Sequence, residues 1–280
     1  MKICKKNTKR LFTFGCSFTK YNYPTWADIT ALYIEPKEYY NFGRQGAGNM
    51  YITNMISQAD EYFNFQSDDL VIVMWSELDR EDRYYMPTTE PARWECRGNI
   101  ANQAFFDTKF IKRFSNPVHS ALRDYANIKL ANFLLQNKTQ VHNLQIVDIK
   151  EHNDKHNLKD LENIANLYKT TLNKIAPSFY KLIWDNNRIE NKIKRNNIIF
   201  GTPWYVDVHP DIYEHKEFVK KVFNIKLSDE IENMCEKAQN RLIDIIRKTA
   251  IYGTDMSNIH AETKKIVLRP SNNLPASLII

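Results

Sequence analysis

Short apolar runs alternate with amphipathic stretches along most of the chain. Leu11-Phe12-Thr13-Phe14 is apolar with β-branched and aromatic character, which reads as a buried strand ending at Gly15-Cys16-Ser17. From Thr25 to Tyr33, apolar residues at Trp26, Ile29 and Tyr33, with Ala27 and Ala31, have helical spacing, and Pro24 keeps the helix from starting much earlier. Tyr39–Phe42 is a second strand, followed by a loop with Gly43, Gly46 and Gly48 and a helix from Met50 to about Phe65. Asp69–Trp75 is the clearest buried strand. Residues 81–117 show weak periodicity and contain Pro87, Pro91, Gly98 and Pro117. They read as an irregular insertion, either a cap over a cleft or a surface excursion.

Ser120–Gln136 reads as a helix with Leu122, Ala126, Leu130, Phe133 and Leu134 on its apolar face. Leu144–Ile149 reads as a fourth strand, Asn157–Trp184 as a helix broken at Pro177, and Asn197–Phe200 as a fifth strand. A helix with Phe218, Val219 and Val222 follows, then a last helix with Ile231, Met234, Cys235, Ala238, Leu242, Ile245 and Ile246 in one stripe. The tail from Met256 reads as loop. Strands alternating with helices predict an α/β fold with a mainly parallel five-stranded sheet and helices on both faces. Residues 1–227 are expected to form the α/β domain, and residues 228–280 a helix and tail packed on it.

Composition narrows the picture. The 280 residues are 43% hydrophobic and 26% charged, which suits a soluble globular chain with a sizeable core. The net charge of +6 favours anionic partners, but the cations are scattered among acids with no binding stripe, so no nucleic-acid role is expected. Cys4, Cys16, Cys96 and Cys235 form no CxxC pair, so neither a disulfide framework nor a metal site is expected, and no cofactor is implied. His152, Asp154 and His156 crowd a polar loop and read as solvent-exposed. No apolar run approaches a membrane span, and the basic N-terminus lacks the apolar core of a secretory signal. The expectation is a cytoplasmic protein.

The chemistry-bearing residues fall where the strands end. In an open parallel sheet, the turns after the strands emerge on one edge. That edge brings together Ser17, the Gly46 loop, Ser76 and the Asp207–His209 loop. A Ser hydroxyl is a poor nucleophile until an imidazole takes its proton, and the imidazole needs an acceptor on its other nitrogen. Ser17, His209 and Asp207 suit those three roles, with the N–H groups of Ser17 and Gly46 as oxyanion donors. Arg44, Trp75 and Arg80 are candidates for lining a substrate cleft. Cys16 is expected to point away from Ser17, and His215 to pack near the site.

These blocks resemble the SGNH (GDSL-like) hydrolases. Gly15-Cys16-Ser17-Phe18 matches the first block, Asn41 through Gly46 the second, and Asp207, His209, Pro210 and His215 the last, in order from about residue 10 to 225. The resemblance implies a three-layer flavodoxin-like fold, a Ser17–His209–Asp207 triad and an oxyanion donor at Gly46. It implies a serine esterase acting on an acyl or acetyl ester of a small molecule or carbohydrate. An O-acyltransferase with the same triad, or a catalytically degenerate binding protein, are the alternatives. Three departures stand out. Cys16 occupies the place of the family's Asp. Trp75-Ser76-Glu77-Leu78 lacks the third-block Asn, for which Asn49 is the candidate substitute. Asp207 precedes His209 by two residues rather than three, so Asp211 or a backbone carbonyl is a rival for orienting the ring.

Overall fold

The computed structural model describes residues 3, 8–86, 88, 91–150, 158–184, 209–251 and 256–278. Strands β1 (Arg10–Phe14), β2 (Glu38–Asn41) and β3 (Asp69–Trp75) are separated by helices α1 (Trp26–Ile34) and α2 (Asn49–Phe63). A hairpin follows, β4 (Arg80–Tyr85) and β5 (Arg93–Asn99), then helices α3 (Thr108–Phe114) and α4 (Pro117–Leu135) and strand β6 (Gln140–Gln145). The described remainder is helical: α5 (Leu158–Leu167), α6 (Lys169–Leu172), a wide turn at Tyr180–Trp184, α7 (Ile212–Phe223), α8 (Asp229–Ile251) and α9 (Met256–Thr263).

The sheet runs in the order β2-β1-β3-β6, with every neighbouring pair parallel. From β1 the chain builds outward to β2 on one side and to β3 and β6 on the other. That reversal opens a crevice at the C-terminal ends of β1 and β3. All seven residues of β3 are buried, as are Leu11 to Phe14 of β1, so the sheet centre carries an almost unbroken apolar run. Asn272 covers the outer edge of β2: its N–H donates to the Tyr39 carbonyl at 2.6 Å, and its side-chain oxygen accepts from the Tyr39 N–H at 3.1 Å. Helix α8 packs on α7 and α1.

Several expectations need correction. The sheet has four strands among the described residues, and the expected fifth, Asn197–Phe200, lies outside them. The fourth strand is Gln140–Gln145 rather than Leu144–Ile149. Gln140, His142 and Asn143 hid it, because their polar side chains interrupt the apolar run. Residues 81–117 are not irregular: β4 and β5 form an antiparallel hairpin with a register shift between Arg80 and Asp82. In α4 the face expected to be buried is largely the exposed one, with Leu122, Leu130 and Phe133 open to solvent. The buried face carries Ser120, Ala121, Asp124, Tyr125, Ile128, Ala131 and Leu135. The segment from Met256 begins with a helix. The His152, Asp154 and His156 cluster lies outside the described residues.

His142 sits in β6 against Phe223 at 5.9 Å between ring centroids, and its Nε2 has no hydrogen-bond partner among the described residues. Burial pulls its pKa down to about 4. A histidine held neutral by the fold contributes stability that is present above its unfolded pKa and is lost as pH falls toward 4. The depression corresponds to roughly 3 kcal/mol at most. The expected result is that His142→Gln loses less melting temperature than wild type between pH 7 and pH 4.5, measured by thermal denaturation.

Candidate active site

Ser17 lies in the turn that leaves β1. The Cys16 carbonyl accepts from the N–H groups of Thr19 and Lys20, and the Cys16 sulfur accepts from Phe18 N–H at 3.5 Å. Two further donors reach the Thr19 carbonyl: Thr25 Oγ1 at 2.7 Å and Asn41 Nδ2 at 3.0 Å. The turn is thus tied to the start of α1 and the end of β2. Cys16 is fully buried, whereas Ser17 keeps 5% of its surface.

His209 meets Ser17 from the far end of the chain, with Nε2 2.9 Å from Ser17 Oγ across 192 positions of sequence. The ring of Tyr21 stacks on the imidazole at 4.0 Å and 24°. Tyr23 donates its hydroxyl to the Pro210 carbonyl at 3.1 Å. Two residues beyond His209, Asp211 caps α7, accepting from Glu214 N–H at 2.9 Å while Glu214 accepts from Asp211 N–H at 2.8 Å. The imidazole is therefore held between a stacked ring and a capped helix start. His215 is buried beside Phe18 and Phe179. Asp207 lies outside the described residues, as do all of residues 185–208.

The Gly46 loop is braced from several sides. Arg44 N–H donates to the Gly15 carbonyl and Ala47 N–H to the Arg44 carbonyl, both at 3.1 Å. The Ala47 carbonyl accepts from Ser76 Oγ at 2.8 Å and from Arg80 Nη1 at 3.3 Å. Asp82, reaching in from β4, accepts from Gly48 N–H at 2.8 Å and Tyr51 N–H at 2.9 Å. It supplies the carboxylate cap that Gly48 cannot give α2. Burial raises the Asp82 pKa, and its two backbone donors oppose that rise. From β5, Gly98 N–H donates to the Gly46 carbonyl at 3.0 Å. Gly46 has φ +76°, and a Cβ there would lie 2.2 Å from the Cys96 carbonyl oxygen. Only glycine fits this loop with the hairpin in place.

Three expectations about neighbouring side chains change. Both amide hydrogens of Asn49 are committed, to the Ser76 carbonyl at 3.2 Å and Asp124 Oδ2 at 2.9 Å, and its oxygen accepts from Ser76 N–H at 2.8 Å. Asn49 joins α2 to the end of β3 and to α4, which leaves it no hydrogen for an oxyanion. Burial pushes Asp124 up to about 6, against the pull of Arg123 and Asn49. Trp75 is wholly buried and donates to Asn143 Oδ1 at 2.9 Å, so it braces β3 against β6 and lines no cleft. Arg80 is largely buried under the loop, near Glu77 at 3.7 Å. Arg44 donates to the Trp94 carbonyl at 2.7 Å and borders a cavity of about 300 Å³ with Gln45, Trp94 and Arg97. A second cavity, of about 280 Å³, has Lys20, Tyr21 and Tyr23 on one wall and Ile266–Ser271 on the other. Sequence reading missed the brace from Asp82 and β5, because the strand pattern that would have shown the hairpin is mostly charged. No cluster of metal-ligating side chains occurs among the described residues.

No protein-family model matches the sequence, and no curated protein matches it. Among solved structures, the chain is similar to a member of the lipolytic protein G-D-S-L family from Veillonella parvula. The identity is 15% and the TM-score 0.42, over 78% of this chain and 97% of that one. It is also similar to a GDSL-like lipase from Bacteroides thetaiotaomicron, at 16% identity and TM-score 0.37, over 85% of this chain and 92% of that one.

Proposed function

We propose that the chain is an SGNH-type serine hydrolase that cleaves an acyl or acetyl ester through an acyl-enzyme. The observation that supports this most is the 2.9 Å contact between Ser17 Oγ and His209 Nε2, at the crevice where the strand order reverses. In the proposed reaction Ser17 Oγ attacks the ester carbonyl carbon while its proton passes to His209 Nε2. The tetrahedral oxyanion is held by the N–H groups of Ser17 and Gly46. Collapse expels the alcohol, which takes the proton from His209. Water then attacks the acyl-enzyme by the same route, with His209 again as base, and releases the acid.

Asp207 is the proposed acceptor for His209 Nδ1. Asp211 is the poorer choice, because its carboxylate caps α7. Arg44, which lines the cavity of about 300 Å³, is the proposed contact for a polar part of the substrate. The proposed alcohol is a sugar, and acetate release from an acetylated oligosaccharide measures it. The basic test is hydrolysis of p-nitrophenyl acetate by the whole chain. A pre-steady-state burst of p-nitrophenol, stoichiometric with protein, is the expected result. No turnover above buffer would overturn the reading.

A further inference from the structure

Not one of residues 101–119 is buried. Four of them are Phe, at 105, 106, 110 and 114, and α3 itself has no buried residue. Phe105 is 50% exposed and Phe114 43%, and the hairpin adds Tyr84, Tyr85 and Met86 at 45%, 47% and 78%. Solvent-exposed large side chains in such a group mark a surface that meets something. Beneath them is a cavity of about 250 Å³ bordered by Arg83, Arg97, Phe105, Phe106 and Phe110, so α3 rests only lightly on the hairpin.

Charge decides what the partner is. Two of the hairpin arginines are paired with acids: Arg83 with Glu81 at 2.9 Å and Arg97 with Glu95 at 2.7 Å. Helix α3 adds Lys109, Lys112 and Arg113, and its neighbouring acid, Asp107, is used as the N-cap. The face is therefore aromatic with a cationic excess. A soluble sugar would stack on open ring faces, but Arg83 lies over Phe110 at 4.8 Å and Phe114 at 5.6 Å. A second copy related by a two-fold axis would set these three cations against their own kind. An anionic bilayer suits both features, taking exposed rings at the headgroup boundary and cations at the phosphates.

We propose that α3 and residues Tyr84, Tyr85 and Met86 at the end of β4 form a docking surface for an anionic lipid membrane. The hairpin that carries this face also holds the Gly46 loop, through Gly98 N–H at its opposite end. The proposal concerns where the protein works and stands apart from the chemistry at Ser17.

The test is sedimentation of the whole chain with vesicles of phosphatidylcholine alone or mixed with phosphatidylglycerol. Binding to the mixed vesicles, weakened by added salt, is expected. The triple variant Lys109→Glu, Lys112→Glu, Arg113→Glu should bind at least roughly 100-fold more weakly, at about fivefold for each charge. Phe105→Ser with Phe114→Ser should also weaken binding while the far-ultraviolet circular dichroism is unchanged. Equal partition into both vesicle types, or none at low salt, would overturn the proposal. So would concentration-dependent dimers in sedimentation velocity that the triple variant abolishes, since the face would then be a self-interface.

Discussion

Ser17→Ala lowers ester turnover by at least about 10⁴-fold and leaves the melting temperature nearly unchanged. In the proposed reaction the hydroxyl forms the acyl bond, and its contact at 2.9 Å is to the imidazole proposed to take its proton. Without it, the oxyanion donors and the bound substrate remain, so residual catalysis over water persists. The same reasoning makes the loss non-additive. Ser17→Ala with His209→Ala should be about as slow as Ser17→Ala alone, because the two side chains act as one unit. Stability is spared because the turn is held by bonds to Cys16, Thr19 and Asn41, to which the Ser17 hydroxyl adds only a long donation to the Cys16 sulfur at 3.9 Å. Steady-state kinetics on p-nitrophenyl acetate and a thermal melt check both halves.

Gly46→Ala should cost activity and stability together. An Ala at φ +76° carries left-handed strain of about 1–2 kcal/mol. Its Cβ would also lie 2.2 Å from the Cys96 carbonyl oxygen and 2.9 Å from the Cys96 carbonyl carbon. Both are backbone atoms of β5, so either the strand or the loop must move. Movement of the loop displaces the proposed oxyanion N–H, and loss of one such donor costs about 10²–10³ in kcat. Gly98→Ala is the matched control. Gly98 has φ +75°, but a Cβ there meets nothing within 4 Å. It should show the strain alone, with kcat within about threefold of wild type. Equal losses at the two positions would mean that backbone strain, rather than the position of the Gly46 loop, governs activity.

How much of this was legible in the sequence depended on where side-chain polarity pointed. β1 and β3 read cleanly because a central parallel strand is buried on both faces and needs apolar residues throughout. β6 read poorly because its polar residues have partners: Asn143 accepts from Trp75 and donates to Asn132, and Gln145 donates to the Ala176 carbonyl. The face of α4 was inverted for a similar reason. Asp124 faces inward because Asn49 and Arg123 meet it there, and no periodicity rule anticipates a buried carboxylate supplied with donors. The hairpin escaped notice because Arg80-Glu81-Asp82-Arg83 looks like loop, whereas Asp82 is a buried cap for a distant helix.

The site followed the same logic. Ser17 and His209 could be paired from sequence because each sits just beyond a predicted strand, and the topology of a parallel sheet gathers such turns. Asn49 was expected as a substitute oxyanion donor, and Trp75 as a cleft residue. Their hydrogen bonds, to Ser76 and Asp124 in one case and Asn143 in the other, turn them into braces. Residue type names what a side chain can donate, but the folded neighbours decide where the donation goes.

Ser17 is proposed as a nucleophile activated by His209. The most direct measurement is labelling of the whole chain with a fluorophosphonate, read by intact mass and by peptide mapping. The account predicts one phosphonyl group per chain, located on Ser17, with labelling lost in Ser17→Ala and at least about 100-fold slower in His209→Gln. Absence of label on wild type, or label on a residue other than Ser17, would contradict it.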